Sequence, residues 1–250
     1  MDFENIILER KDGIARIKLN RPDALNALDV ATLLEIQRAL EDIRNDESIG
    51  VVVLTGVGRA FSAGVDLKSI GGLKLEGGNV GGEINAAARG VIQTMEELPK
   101  PIIAMVNGFC LTGALEIAMG CDMIIASENS RFGDTHVRWG FRPTWGLSQK
   151  LPRAVGIMKA KELSFTAEMI SAVEAERIGL VNRVVSAEEL EPTVEALAQT
   201  ILRNSRDAIA AYKALMNRGF REDLATGLKV EAETSFVVND TEERIKEFRK

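Results

Sequence analysis

The chain has 250 residues, of which 46% are hydrophobic and 27% charged, with a formal net charge of -6. That length lies near the upper limit for one hydrophobic core, so a large domain with an appendage is expected. The acidic surplus excludes a broad grip on nucleic acid, which needs a basic face, and leaves a polyanion to be held by a local cluster or by backbone N–H groups.

Ile14 to Leu19 alternate as a strand does, and Asn20-Arg21-Pro22-Asp23 is turn-like. Asp29 reads as the N-cap of a helix over Val30 to Asn45, where Leu33, Ile36, Leu40 and Ile43 recur on one face. Val51-Val52-Val53-Leu54-Thr55 is short and β-branched, as a strand buried on both faces is. Glycines between Gly71 and Gly82 predict a mobile loop, possible as a lid over a pocket. A helix is expected over Ile84 to Glu97, stopped by Pro99, then a strand at Ile102 to Val106. Asn107-Gly108 turns the chain, a further helix begins at Ala114, and Met123 to Ala126 is another strand. Strands alternating with helices imply right-handed βαβ units. From about Leu190 the pattern becomes purely helical, over Leu190 to Leu202, Ser205 to Arg218 and Gly227 to Val238. Cys110 and Cys121 lie in apolar surroundings and suggest a reducing compartment. Met1-Asp2-Phe3-Glu4-Asn5 lacks the pattern of a secretory signal, and no run approaches the ~18 apolar residues of a membrane span, so no membrane association and a cytoplasmic location are expected.

Two small-residue turns can carry chemistry. Arg59-Ala60-Phe61-Ser62-Ala63-Gly64-Val65-Asp66-Leu67 follows a buried strand, and such a loop can aim N–H groups at an anionic oxygen. Asn107 to Ala118 contains Thr112-Gly113-Ala114-Leu115-Glu116, a glycine turn entering a helix with a carboxylate in its first turn. Taken singly, each is also what an ordinary turn or a helix-capping carboxylate looks like.

Together these segments resemble the two signature segments of the crotonase (enoyl-CoA hydratase/isomerase) superfamily. Also similar are Leu19-Asn20-Arg21-Pro22, Leu25-Asn26-Ala27-Leu28, Lys100-Pro101-Ile102-Ile103-Ala104, Cys121-Asp122, Arg131-Phe132-Gly133, the stretch Leu151 to Gly156, and the stretch Ala175 to Val181. The resemblance runs from about residue 4 to the end. It implies an α/β fold: a crotonase-like ββα spiral core over 1–190 with the acyl-CoA site, and a C-terminal helical trimerisation region over 191–250. It implies a homotrimer or homohexamer acting on an acyl-CoA thioester, with coenzyme A entering only as part of the substrate.

Carried over position by position, the resemblance makes Ala63 and Gly113 the two backbone donors to the thioester oxygen. It makes Glu116 the base that activates water, and places Ala24, Ser62, Gly64, Asp66, Leu67 and Trp139 against the substrate. The second family glutamate falls where this chain has His136, its only histidine. Imidazole can replace a carboxyl in proton transfer, because both of its protonation states are accessible near neutral pH. Asp134 is a lesser acid–base candidate.

Two further departures bear on coenzyme A. Asp23 stands where many relatives carry a lysine for the phosphates, and the chain ends at Lys250, short of a longer basic tail. Arg21, Lys68 or the terminal basic residues then become the expected phosphate contacts. The bulk of Trp139, Phe141 and Trp145 hints at a restricted acyl group. Hydration of a 2-enoyl-CoA is the leading reading, with double-bond isomerisation, thioester hydrolysis or a non-catalytic acyl-CoA scaffold as alternatives. One histidine and two apolar cysteines offer no ligand set for a metal, and no redox cofactor is expected.

Overall fold

The computed structural model describes residues 2–71 and 76–248. Strands β1 (Ile6–Lys11) and β2 (Ile14–Leu19) form an antiparallel hairpin. Its turn is Asp12-Gly13, with φ of 51° and 80°, which suits the twist of the pair. Helix α1 (Val30–Arg44) starts where Asp29 accepts the Thr32 N–H, a cap typically worth about 1 kcal/mol.

The chain then repeats a unit of long strand, short strand and helix. The first unit is β3 (Val51–Gly56), β4 (Ala60–Ser62), the short α2 (Leu67–Ile70) and α3 (Gly82–Glu97). The second is β5 (Ile102–Val106), β6 (Phe109–Leu111) and α4 (Gly113–Ala118). The third is β7 (Met123–Ser127) and β8 (Arg131–Gly133), followed by α5 (Leu147–Val155) and α6 (Ile157–Thr166). After β9 (Ile170–Ser171), α7 (Ala172–Arg177) and β10 (Arg183–Val185) come α8 (Leu190–Leu202), α9 (Arg206–Gly219), α10 (Leu224–Glu233) and α11 (Thr241–Phe248).

The long strands build a six-stranded sheet in the order β1-β2-β3-β5-β7-β10, parallel from β2 onward. The short strands build a second sheet, β4-β6-β8-β9, with β4, β6 and β8 parallel. Each turn of the chain therefore adds one strand to each sheet, which is the expected ββα spiral.

Both faces of the large sheet are covered, and this explains why its strands are uniformly apolar. Val52, Leu54, Ile102 and Ala104 point into one core with Leu33, Ile36 and Leu40 of α1 and Val91 and Met95 of α3. Val51, Val53, Ile103 and Ile125 face the other way, onto Leu190, Val194 and Ala198 of α8.

Several predicted elements shift at their ends, and α3 begins at Gly82 rather than Ile84 while α9 runs from Arg206 to Gly219 with Ser205 as its N-cap. The α1 helix ends at Arg44, with Asn45 as its C-cap, and α4 begins at Gly113 rather than Ala114. The last predicted helix, over 227–238, is displaced to 224–233. Asp223 caps it by accepting the Thr226 N–H, and after Glu233 the chain runs through Ser235-Phe236-Val237-Val238 without helical structure. The aromatic and β-branched side chains there mimic a helical stripe but have low helix propensity. Of the glycine-rich stretch predicted as a lid, residues 72–75 lie outside the described residues. Gly77 and Gly78, by contrast, accept hydrogen bonds from Arg142 Nε and N at 3.1 and 2.9 Å.

Candidate active site

The segments that leave β4, β6 and β8 emerge side by side, because those strands are hydrogen-bonded neighbours running in one direction. They carry Ala63 to Asp66, Thr112 to Glu116 and Asp134 to Trp139.

Backbone pairing decides which amides are free. The Ala63 N–H donates to Leu25 O at 2.9 Å, and the Gly64 N–H donates to Ser62 Oγ at 3.1 Å. Leu28 N–H donates to Gly64 O and Asp66 N–H donates to Leu28 O, both at 2.8 Å. Those two bonds flank Val65 as a parallel bridge and leave its own N–H on the opposite side. Neither Val65 N–H nor Gly113 N–H has a hydrogen-bond partner among the described residues. Ala63 is thus corrected as a donor: its amide is spent on Leu25, and the open amide of this loop belongs to Val65.

Gly64 brings the two turns together. A methyl placed on it would run into Thr112 Oγ1 and lie 2.7 Å from Leu111 O and 3.3 Å from Gly113 N, and its φ is +91°. Thr112, just before Gly113, has φ 47° and ψ -114°. That conformation is a true outlier for a β-branched residue. It is held by Thr112 N–H to Gly133 O at 2.9 Å and by Glu116 N–H to Thr112 O at 3.0 Å.

Glu116 is 2% exposed. Its Oε1 accepts the backbone N–H of Trp145 at 2.9 Å and of Leu147 at 3.0 Å, which leaves Oε2 for chemistry. Burial raises its pKa above the ordinary carboxylate value, against the opposing pull of the Leu147 N–H, His136 and the Trp145 N–H. Trp145 is itself fixed: its Nε1–H donates to Oδ1 of buried Asn85 at 2.7 Å, and Thr144 Oγ1 donates to the same oxygen. Its indole lies over Gly113, where a methyl would come within 2.5 Å of Cζ3.

His136 is buried and places Nε2 3.7 Å from Glu116 Oε2. On its other side Nδ1 meets Asp134 Oδ1 at 2.6 Å. Burial pushes the Asp134 carboxyl up, but hydrogen bonds from His136 and Ser164 outweigh it and hold the pKa below its usual value.

The structure thus unites Ser62, Gly64, Gly113, Glu116 and His136, and moves other expected residues out of free roles. Asp66 caps α2 through the Lys68 N–H and pairs with Arg21 at 2.8 Å. Arg21 also pairs with Asp29 at 3.2 Å, so two carboxylates already neutralise it. Ala24 and Leu67 are exposed beside this loop. Trp139 is 58% exposed in the single chain, whereas Trp145 is buried and packs over Gly113. Sequence reasoning missed Val65, Asn85 and the two amides that hold Glu116. Among the described residues no group of three or more potential metal ligands occurs, and no helix is long and apolar enough to cross a membrane.

A family model described as enoyl-CoA hydratase/isomerase matches residues 9–248. The crotonyl-CoA hydratase of Syntrophomonas wolfei is 40% identical, covering 99% of this chain and 96% of its own. The short-chain-enoyl-CoA hydratase of Clostridium acetobutylicum is 43% identical, covering 93% and 88%. The crystal structure of an enoyl-CoA hydratase from Bacillus anthracis superposes with a TM-score of 0.91 at 34% identity, covering 98% of this chain and 96% of that one.

Proposed function

The chain belongs to the enoyl-CoA hydratase/isomerase family, and on that footing we propose that it adds water across the 2,3 double bond of a short-chain enoyl-CoA. The observation that carries this reading is the pair of unpartnered amides, Val65 and Gly113, brought together at Gly64 beside a buried carboxylate with one open oxygen.

The thioester oxygen accepts both amides. Water attacks C3 as Glu116 Oε2 takes its proton, and the π electrons move onto the thioester oxygen as an enolate. The two N–H groups stabilise that charge, because they are held by the fold without partners of their own; one such donor is typically worth about 10²–10³ in rate. The enolate then closes, C2 takes a proton from the Glu116/His136 pair, and the pair returns to its starting state. The reaction forms one C–O bond and one C–H bond at the expense of the C=C π bond and a water O–H bond, with no net oxidation or reduction, and so calls for no electron carrier.

Trp145, locked between Asn85 and Gly113, supports a short acyl group, and the crotonyl and short-chain names of the two relatives agree with it. Lys68 is exposed and has no ion pair among the described residues, so we assign it to the coenzyme A phosphates in place of Arg21. Two unpaired cysteines suit a cytoplasmic location. The purified protein should bleach the conjugated-enone absorbance of crotonyl-CoA, faster than that of a long-chain enoyl-CoA. Thiol release without that loss would replace hydration by hydrolysis.

We further propose that residues 191–250 join subunits. Met216 of α9, its C-cap Phe220, and Leu224 and Leu228 of α10 are large apolar residues exposed in the single chain, and clustered exposed apolar side chains of this kind mark interaction surfaces. A solution mass of three or six times 27.2 kDa is expected by light scattering, and a monomer at assay concentration contradicts it.

A further inference from the structure

Asp134 lies two residues before His136 and only 3% of its surface is exposed. Its Oδ1 is 2.6 Å from His136 Nδ1 and also accepts the His136 backbone N–H at 3.3 Å. Ser164, on α6, also favours the ionised form of this carboxylate and acts from a different element. We propose that Asp134 is a positioning residue: it fixes the Nδ1–H tautomer and the ring plane of His136, so that Nε2 faces Glu116 and the carbon being protonated. This rests on the hydratase reading above.

An ionised carboxylate can only accept, so the bond at Nδ1 places a proton on that nitrogen. The lone pair of the neutral ring then sits on Nε2, which points at Glu116 Oε2. At 3.7 Å the two atoms are too far apart for a direct hydrogen bond and well placed to exchange a proton with something lying between them. Glu116 first passes the proton it took from water to the lone pair on Nε2, which makes the ring an imidazolium and returns Glu116 to the carboxylate. In the closing step that Nε2–H bond breaks as the enolate electrons form C2–H, and the nitrogen regains its lone pair. Among the described residues, the ionisable groups that pair with the imidazole are Glu116 on one side and Asp134 on the other, and Ser164 favours the ionised form of Asp134. A ring fixed by packing alone would need neither the charge of Asp134 nor a defined tautomer. Histidines are commonly oriented in this way by a carboxylate at the far nitrogen.

The single histidine makes the test direct, because protein labelled with ¹⁵N-histidine gives one pair of ring nitrogen signals. In wild type the neutral ring should carry its proton on Nδ1, with Nε2 bare. Asp134→Asn should shift the population toward Nε2–H and lower kcat on crotonyl-CoA by about 10²-fold, with KM within a few-fold. Ser164→Ala, which loosens the carboxylate without removing its charge, should keep the tautomer and cost kcat only a few-fold. A wild-type ring protonated on Nε2 overturns the proposal. So does a folded Asp134→Asn enzyme with unaltered kcat. If Asp134→Asn does not fold, the wild-type tautomer and the Ser164→Ala rate decide the matter. Absence of hydration by the wild type would sink the hydratase reading instead, while the tautomer measurement still judges Asp134.

Discussion

Glu116→Gln is expected to lower kcat on crotonyl-CoA by about 10³-fold while acyl-CoA binding stays within a few-fold. The amide has the size of the carboxyl, and its oxygen can still accept the Trp145 and Leu147 N–H groups that hold Oε1. The other arm becomes NH₂, which has no lone pair to take a proton from water. The folded scaffold and the oxyanion amides survive, so the loss should fall on kcat.

The same experiment has a pH signature. The working form of Glu116 is the carboxylate, and burial raises its pKa. Activity must therefore fall as pH drops through that raised value, and the acidic limb of kcat/KM should lie above the range of an exposed glutamate. The residual rate of the glutamine variant should lack that limb. A variant that keeps more than a tenth of wild-type kcat would remove Glu116 from the mechanism.

Gly64→Ala should be nearly as damaging without touching an ionisable group. The added methyl meets the Thr112 hydroxyl and comes within 2.7 Å of Leu111 O, and backbone cannot step aside as a flexible side chain can. The residue also sits at φ +91°, where an L side chain is strained by roughly 1–3 kcal/mol. Relief requires the Val65 loop and the Gly113 turn to separate. Since the two amides act together, kcat/KM should fall by about 10²–10³-fold, and Tm should drop as well. The reading combines a kinetic assay with calorimetry. Unchanged kcat/KM in a variant of lowered Tm would show that the approach of these turns matters to folding alone.

Much of the fold was legible because its signals are local. Val51 to Thr55 and Ile102 to Val106 are apolar throughout since both faces of their sheet are covered, and Asp29 caps α1 as its position suggested. Glu116 and His136 were legible through their place in family-like segments. The donor in the first loop was not. Whether Ala63 or Val65 offers its N–H depends on how the loop pairs with Leu25 and Leu28, some 37 residues earlier in the chain, and side-chain identity carries no trace of that. The role of Trp145 was hidden for a similar reason, since its indole is fixed by Asn85, 60 residues away. Asp134 was underrated because only the bend after β8 turns it back onto the His136 ring.

The parallel pairing of β4, β6 and β8 has a bearing on how such an enzyme can diverge. Each strand ends in one rung of the apparatus, and adjacent rungs stand about 4.8 Å apart because backbone hydrogen bonding sets that interval. In the proposed mechanism the first two rungs act through main chain, so they tolerate much drift in side-chain chemistry. The third presents Asp134 and His136 through side chains and can be rewritten without unsettling the others. A lineage can thus exchange a carboxyl for an imidazole at one step of the ladder while the main-chain geometry of the other two is inherited intact.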